Sequence, residues 1–218
     1  MLVKDYITKD FAPAKIGQTA GHALGLIDQF NLTHIPVLEG LEFAGNLSKE
    51  ILEENEASIR LSELKDSFEN FFIDEKASLL DAVQVYHNHT SNILPILNQT
   101  HHYMGMLMLD DVISGLSSMP LIIEPGSIMI VEIPQKKLSF SEISNIVESN
   151  NAKIIGMFVT AYQGENVRVA LKLVSENLTS VGETFERFDY KVVYKFFNDE
   201  KEELMKERFE QLMKYLNI

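Results

Sequence analysis

Four histidines in the first half of the chain are the residues whose type most readily suggests metal chemistry. His87 and His89 lie near the end of a predicted helix, and His101 and His102 are adjacent in a predicted hairpin turn. Their imidazoles could hold zinc or nickel if the two segments met. Side chains two residues apart on a helix face apart, however, and adjacent residues in a turn converge poorly. We therefore predict solvated histidines and no metal site.

Motifs that carry catalytic chemistry do not occur in the sequence. It contains no Gly-rich phosphate loop, no HExxH pair and no G-x-S-x-G elbow. Cysteine is absent as well, which excludes disulfides, thiolate metal sites and a cysteine nucleophile. We therefore expect a protein that is not an enzyme and has no covalent cofactor.

The net charge of the sequence restricts the classes of partner that the protein can be expected to bind. The 218 residues include 32 acids and 19 bases, for a net charge of −13. Such a surface repels phosphate backbones and anionic lipid, so we expect neither nucleic acid nor membrane as a partner. No stretch approaches the ~18 apolar residues of a membrane span, and the first residues have no apolar signal core. We therefore expect a cytoplasmic protein.

An internal repeat of about 59 residues supplies the elements that would position a site. The segment 33–38, THIPVL, recurs as NILPIL at 92–97, and each copy is followed by an aromatic residue and a glycine, Gly45 or Gly105. Each unit reads as a short extended segment, a helix, two strands joined by a polar turn, and a closing helix. One such unit buries too little surface to be stable alone. We predict two β-α-β-β-α repeats, 1–59 and 60–119, that share a core.

These features resemble a tandem pair of CBS domains, a Bateman module, over roughly residues 1–117. The similarity lies in the opening segment 3–7, in the strands with Pro36 and Pro95, and in a Gly-apolar-apolar-Thr/Ser-x-x-Asp stretch. The resemblance implies two clefts between the repeats. In such a cleft the Asp accepts hydrogen bonds from ribose hydroxyls, the Thr or Ser meets the sugar or phosphate, and the adenine lies beside the proline strand.

The resemblance also implies that each cleft keeps only one of the two polar side chains, the hydroxyl or the Asp carboxylate. The first repeat keeps the hydroxyl at Ser48 but has Ile51 at the Asp position, whereas the second keeps Asp111 and has Met108 in place of the hydroxyl. We predict that the second cleft binds AMP, ADP, ATP, S-adenosylmethionine or a related adenosyl ligand. The predicted cleft residues are Asp111, Ile93, Leu94, Pro95, Ser48, His34 and Pro36. The alternative is that side chains such as Met106 and Met108 fill both clefts.

The second half of the chain predicts a different arrangement after a domain join near residue 120. Apolar periodicity predicts a strand, a helix, two strands, a helix and a strand, which is the ferredoxin-like split βαβ order. The predicted strands are 128–133, 154–161, 167–174 and 192–197, and the helices begin near residues 140 and 178. The overall fold class is therefore predicted to be α+β.

In this context the domain 120–197 is similar to an ACT domain, with the resemblance carried by residues 126–197 and by Ile133-Pro134 followed by Leu138 and Ile143. The combination resembles acetoin-utilisation-type CBS–ACT regulatory proteins. It implies a ligand loop at Pro134 and Gln135, although the glycine of amino-acid-binding ACT loops is missing here. It also implies a homodimer, because ACT sheets commonly join side by side.

The C-terminal stretch 198–218 is predicted to contain a final helix over 199–216. Its apolar stripe consists of Met205, Phe209, Leu212 and Leu216, and its opposite face is rich in acids. Such a stripe should dock on the domain or on a second subunit.

Taken together, the sequence predicts a non-catalytic regulatory sensor. An adenosyl ligand in the CBS cleft would shift the repeats, and the ACT-like domain would pass the shift to a dimer interface or to a regulated protein partner. The alternative is a scaffold or interaction protein with vestigial clefts.

Overall fold

The computed structural model describes residues 1–196 and divides the chain into two compact units, Met1–Ser118 and Met119–Ile218. Each unit mixes helices with small sheets, so the predicted α+β class is confirmed. Within the described residues, no helix has the length and apolar character needed to cross a bilayer. The predicted helix over 199–216 lies outside the described residues.

The first unit consists of two repeats with the same element order. Each has a 3-10 helix, a two-residue strand, a helix, two longer strands and a closing helix. The first repeat comprises the 3-10 helix Val3–Tyr6, β1 Ala14–Lys15, α1 Ala20–Phe30, β2 His34–Glu39, β3 Glu42–Ser48 and α2 Lys49–Glu54. The second comprises the 3-10 helix Leu61–Ser67, β4 Ile73–Asp74, α3 Leu79–His89, β5 Ile93–Leu97, β6 Tyr103–Met108 and α4 Leu109–Ser117.

Local chemistry explains why α1 and α3 begin and end at equivalent positions. The hydroxyl of Thr19 accepts the His22 amide, and Ser78 forms a complete capping box with Asp81. Both helices end at a residue in the left-handed conformation, Asn31 with φ 51° and Thr90 with φ 49°. The caps therefore set both helices to the same length of 11 residues.

The prolines of the repeat lie on the central strands of two equivalent three-stranded sheets. The sheet orders are β1-β2-β3 and β4-β5-β6, with Pro36 opposite Asn46 and Pro95 opposite Met106. The short strands β1 and β4 pair with β2 and β5 only from Val37 and Ile96 onward, which are the residues directly after the prolines. A proline, which has no N–H to donate, is therefore tolerated at each position. The two prolines thus occupy corresponding places in a pseudo-symmetric pair.

The segment that leads into each repeat packs on the other repeat. We call residues 2–8 the first leading segment and residues 60–69 the second leading segment. Thr8 exchanges both backbone hydrogen bonds with Met106, at 2.8 and 3.0 Å, and Glu69 does the same with Asn46, at 2.9 and 2.8 Å. Val3 is fully buried in the core of the second repeat. Neither repeat is therefore complete without a segment that the other contributes.

The second unit is a four-stranded antiparallel sheet with the order β10-β7-β9-β8. Its elements are the short helix α5 Pro120–Ile123, β7 Ser127–Pro134, the 3-10 helix Gln135–Lys137, α6 Phe140–Ser149, β8 Lys153–Gln163, β9 Asn166–Val174, α7 Leu178–Arg187 and β10 Lys191–Phe196. Alternate strand residues such as Val131 and Val169 pack against α6 and α7 in one core. The predicted ferredoxin-like order is thus confirmed, and α5 is an element that the sequence reading missed.

Replacing Gly105 with alanine should destabilise the first unit by about 2–4 kcal/mol. Gly105 has φ 147°, and a Cβ there would lie 2.7 Å from the backbone oxygen of Thr8, inside the Thr8–Met106 pair. Chemical denaturation of the full chain measures the change. The control is Gly25→Ala on exposed α1, where nothing lies within 4 Å and alanine should stabilise by roughly 0.5–1 kcal/mol. Equal stabilities for the two variants would contradict the proposed role of the close approach.

Candidate functional site

The two repeats meet at a junction just before β2 and β5. The amide of Asn92 donates to the Thr33 hydroxyl at 3.0 Å, and the Thr33 amide donates to the Asn92 side-chain oxygen at 2.9 Å. The side-chain amide of Asn92 also donates to the backbone oxygen of Asn31 at 2.8 Å. These bonds hold the starts of the two proline strands together, so the residues that follow them face positions lined by both repeats.

The first cleft is the position near the start of β2, and it contains His34, Ser48, Glu69, Phe71 and His89. The Glu69 carboxylate lies between two imidazoles, 3.3 Å from Nε2 of His34 and 3.7 Å from Nδ1 of His89. The Phe71 ring stacks on His89 at 4.3 Å and meets His34 edge-on at 5.4 Å. The second leading segment thus supplies a carboxylate that already has two partners within the protein.

The predicted residues of the first cleft also stabilise the fold of the first repeat. His34 and Ser48 are paired across β2 and β3, and both are buried. The Ser48 hydroxyl accepts the Ile51 amide at 3.3 Å as the N-cap of α2. Ile51 packs against the core of the first repeat, which is consistent with an apolar residue at the position where an Asp was sought.

The second cleft is the equivalent position near the start of β5. Ile93 is opposite Met108, and Leu94 and Pro95 follow it in the buried strand. Phe30 corresponds by the repeat to His89, and Phe11 lies one position away from the equivalent of Phe71. The rings of Phe11 and Phe30 meet edge-on at 4.5 Å, beside the same apolar core as Ile93 and Met108. The residues around the start of β5 are therefore apolar and aromatic.

Asp111 is the carboxylate that the sequence predicts for the second cleft. It lies in the first turn of α4, where the helix dipole favours a negative charge, and it is half-buried. Within residues 1–196 its carboxylate makes no hydrogen bond or ion pair. Its charge adds to burial in raising the pKa of Tyr86, whose hydroxyl donates to the backbone oxygen of Leu107. Asp111 therefore retains its acceptor capacity, in contrast to Glu69.

The histidine pairs do not form a metal cluster in the described part of the chain, where no group of three or more His, Asp or Glu side chains could hold an ion. His89 contributes to the first cleft, and His87 is exposed. His101 adopts the left-handed conformation of the hairpin turn, and His102 hydrogen-bonds within that turn.

The predicted ACT loop occupies the end of β7. Pro134 is exposed, and the Gln135 amide donates to the Glu165 oxygen at 2.8 Å, so that N–H is already used. A cavity of about 530 Å³ lies nearby, beside α6, and neither loop residue lines it. Its wall includes Glu142, which accepts a hydrogen bond of 2.8 Å from the Tyr190 hydroxyl. Ligand binding at Pro134 and Gln135 stays a prediction.

Sequence reasoning missed several residues that the structure brings to the clefts: Phe11, Phe30, Thr33, Glu69, Phe71, His89 and Asn92. The same repeat that aligned the prolines also aligns Thr33 with Asn92 and Phe30 with His89. Those pairs could therefore have been found. Glu69 could not, because it belongs to a leading segment whose pairing is non-local.

The stability of the first unit should fall below pH 6.5 because of His34. Burial lowers the pKa of His34, and the Glu69 and Glu50 charges partly oppose this. The unfolded chain, with a His pKa near 6.5, therefore binds the proton first, so the contribution of His34 is complete above that pH and is lost as the pH falls towards the folded pKa. Between pH 7 and 5, His34→Gln should make the free energy of unfolding less dependent on pH. The slope should decrease by less than about 1.4 kcal/mol per pH unit.

Denaturant titrations at several pH values measure this effect. Glu69→Gln is the complementary variant, because loss of its charge lowers the His34 pKa further and should steepen the fall. Parallel curves for the wild type and both variants would contradict the assignment.

Comparisons with known proteins agree with this description. The CBS domain family model matches residues 65–118. No curated protein matches the sequence. A CBS domain pair/ACT domain protein from Thermotoga maritima is 22% identical over 53% of this chain and 96% of that chain, with a TM-score of 0.49.

Two further solved structures are similar to the same part of the chain. The CBS domains of a transcriptional regulator from Streptococcus pneumoniae are 12% identical over 52% of this chain and 98% of that chain, with a TM-score of 0.47. CBSX2 in complex with AMP is 16% identical over 53% and 95%, with a TM-score of 0.43. The match of the CBS family model to the second repeat confirms the predicted CBS resemblance.

Proposed function

We propose that the protein is a non-catalytic regulatory sensor that binds an adenosyl ligand in the second cleft. The observation that carries the proposal is the half-buried Asp111 carboxylate, which has no partner within the described residues. It lies in the first turn of α4, whose Leu109 amide donates to the backbone oxygen of the junction residue Asn92 at 3.0 Å. A ribose diol supplies two donors to such a carboxylate, and a partly desolvated charged hydrogen bond is stronger than a neutral one.

The residues of the predicted second cleft favour a nucleoside over a highly charged ligand. Phe11, Phe30 and Met108 pack against the same core as Ile93 and would offer apolar surface to a flat base. The segment 105–111 carries no Lys or Arg to neutralise phosphates. Among adenosyl ligands, AMP or S-adenosylmethionine therefore suits the second cleft better than ATP.

Regulation by such a ligand follows from the exchange of leading segments. The first leading segment pairs with β6, which runs directly into α4 and Asp111. A ligand held at this point binds one arrangement of the repeats better than another and so shifts their equilibrium. The relay through the ACT-like unit, to a homodimer interface or a regulated protein, is part of the same proposal.

The second candidate function is a scaffold with filled clefts. The observation that favours it is ring packing, since the Phe11–Phe30 and Phe71–His89 rings lie with their centroids 4.5 and 4.3 Å apart in the two repeats. In that case the pairs take the place of a base, and ligand addition leaves the stability unchanged.

Replacement of Asp111 by alanine should weaken ligand binding roughly 10–100-fold, because a charged hydrogen bond contributes about 1.5–3 kcal/mol. Isothermal calorimetry with AMP, ADP, ATP, S-adenosylmethionine and NADH measures it. The matched control is Asp110→Ala, an exposed carboxylate in the same helical turn that should bind as the wild type does.

Thermal shift provides an independent readout, because a ligand of the folded state raises the melting temperature with its concentration. No heat and no shift with any of the five compounds would favour the scaffold. Equal affinities of the Asp110 and Asp111 variants would remove Asp111 from the site.

A further inference from the structure

The cavity beside α6 in the second unit belongs neither to the predicted CBS clefts nor to the predicted ACT loop. Its volume of about 530 Å³ lies within the range of about 300–1,000 Å³ that is typical of small-molecule sites. Among the described residues that line it, Ile146 and Phe188 are apolar. The others are polar: Ser139, Ser141, Glu142, Asn145 and Ser149. The wall therefore combines apolar surface with several groups that can form hydrogen bonds.

One side of α6 forms most of this wall. Several lining residues of the helix and its N-cap follow one another at intervals of three or four, which places them on the same side: Ser139, Glu142, Ile146 and Ser149. Phe188, the C-cap residue of α7, lines the cavity from the neighbouring helix. The cavity thus lies between one side of α6 and the end of α7.

Hydrogen bonds fix the two helices relative to each other. The Ser180 hydroxyl on α7 donates to the Asn150 side-chain oxygen at 2.8 Å, and the Asn150 side-chain amide donates to the Ile146 backbone oxygen at 2.8 Å. The backbone amide of Phe188 donates to the Phe185 oxygen at 3.1 Å. Because the walls are already positioned, a ligand loses little of its binding energy to ordering them.

Glu142 is the charged residue among the described ones that line the cavity. Tyr190, only 1% exposed, donates from its hydroxyl to Oε2 of Glu142 at 2.8 Å. Burial and this carboxylate raise the pKa of Tyr190, so the phenol keeps its proton and remains a donor. Within residues 1–196 the other oxygen, Oε1, has no hydrogen bond or ion pair. Tyr190 therefore holds the carboxylate in place while one oxygen retains its acceptor capacity.

The uncharged polar groups of the wall can both donate and accept. Ser141 and Asn145 are exposed, and their side chains make no hydrogen bond within the described part of the chain. A hydroxyl and a side-chain amide each offer a donor and an acceptor. A ligand rich in hydroxyls matches this mixture, because each of its hydroxyls also donates and accepts. An organic ammonium offers donors only and leaves the Asn145 amide donor without an acceptor.

The apolar residues and the charge restrict the ligand class further. The Phe188 side chain is half exposed, and an aromatic ring offers apolar surface to the C–H face of a sugar ring. No Lys or Arg among the described residues lines the cavity. A phosphate or carboxylate ligand would therefore find no cation there and would be repelled by Glu142.

We propose that this cavity binds a neutral polyhydroxylated ring, such as a monosaccharide. Adjacent hydroxyls of the ring bond to Glu142 and Asn145, and its C–H face packs on Phe188. The bond to Glu142 contributes most, because hydrogen bonds to a carboxylate are stronger than those between neutral groups. The second unit thus recognises a ligand of a different class from the adenosyl compound of the second cleft, and this inference does not rest on that function.

Amide NMR spectra of the full-length protein test the proposal. The titrants are D-glucose, D-galactose, D-mannose and myo-inositol, with glycine, choline and inorganic phosphate as ligands of other classes. At least one polyhydroxylated ring should shift the amide resonances of α6 and Phe188 in a saturable manner, and Asp111→Ala should leave this response unchanged. Saturable shifts with glycine, choline or phosphate alone would overturn the assignment, as would the absence of a saturable shift with every titrant.

Variants of the wall identify the groups that bind. Glu142→Gln keeps an acceptor for Tyr190 but loses the charge, and it should weaken binding about tenfold. The matched control is Glu148→Gln, an exposed carboxylate of the same helix that does not line the cavity. Asn145→Ala should weaken binding about fivefold and leave the melting temperature unchanged, because its side chain is exposed. Equal dissociation constants for the Glu142 and Glu148 variants would overturn the proposal.

Discussion

The exchange of leading segments between the repeats is the constraint on which the first unit depends. The reciprocal backbone pairs of Thr8 with Met106 and of Asn46 with Glu69 are possible only because Gly105 and Gly45 adopt φ values of 147° and 148° beside them. A side chain at either glycine would occupy the space that the opposite leading segment fills. A repeat of this size is marginal alone, so the exchange makes the pair, rather than the single repeat, the cooperative unit.

The same exchange makes the two clefts chemically different. The second leading segment brings Glu69 to the first cleft, where His34 and His89 already surround the carboxylate. The first leading segment brings Thr8, and the carboxylate predicted for the second cleft is instead Asp111 on α4. A partly buried acceptor with partners strengthens the fold, whereas a partly buried one without them favours an outside donor. The two repeats thus share a backbone arrangement but differ in their carboxylates, and on the proposed function only the second cleft binds a ligand.

The parts of the structure that the sequence predicted are those decided by local chemistry. Thr19, Ser78 and the proline strands follow from capping preferences and the 59-residue repeat, and the alternation of 167–174 predicts a half-buried strand. The pairing of Thr8 with Met106 joins residues far apart in the chain, and no local pattern specifies it. α5 escaped prediction because its four residues are too few to show periodicity.

The junction also couples the charge of the first cleft to the contact between the repeats. The Thr33 hydroxyl has one proton and lies 3.0 Å from the Asn92 side-chain oxygen and 2.9 Å from Nδ1 of His34. When His34 is neutral and its Nε2–H donates to Glu69, its Nδ1 can only accept. The Thr33 hydroxyl then donates its hydrogen bond to Nδ1. When His34 is an imidazolium, its Nδ1–H donates to the Thr33 hydroxyl. That hydroxyl is then free to donate its own hydrogen bond to the Asn92 side-chain oxygen. Protonation of His34 therefore adds a hydrogen bond between the repeats, at the cost of burying a charge that only Glu69 neutralises directly.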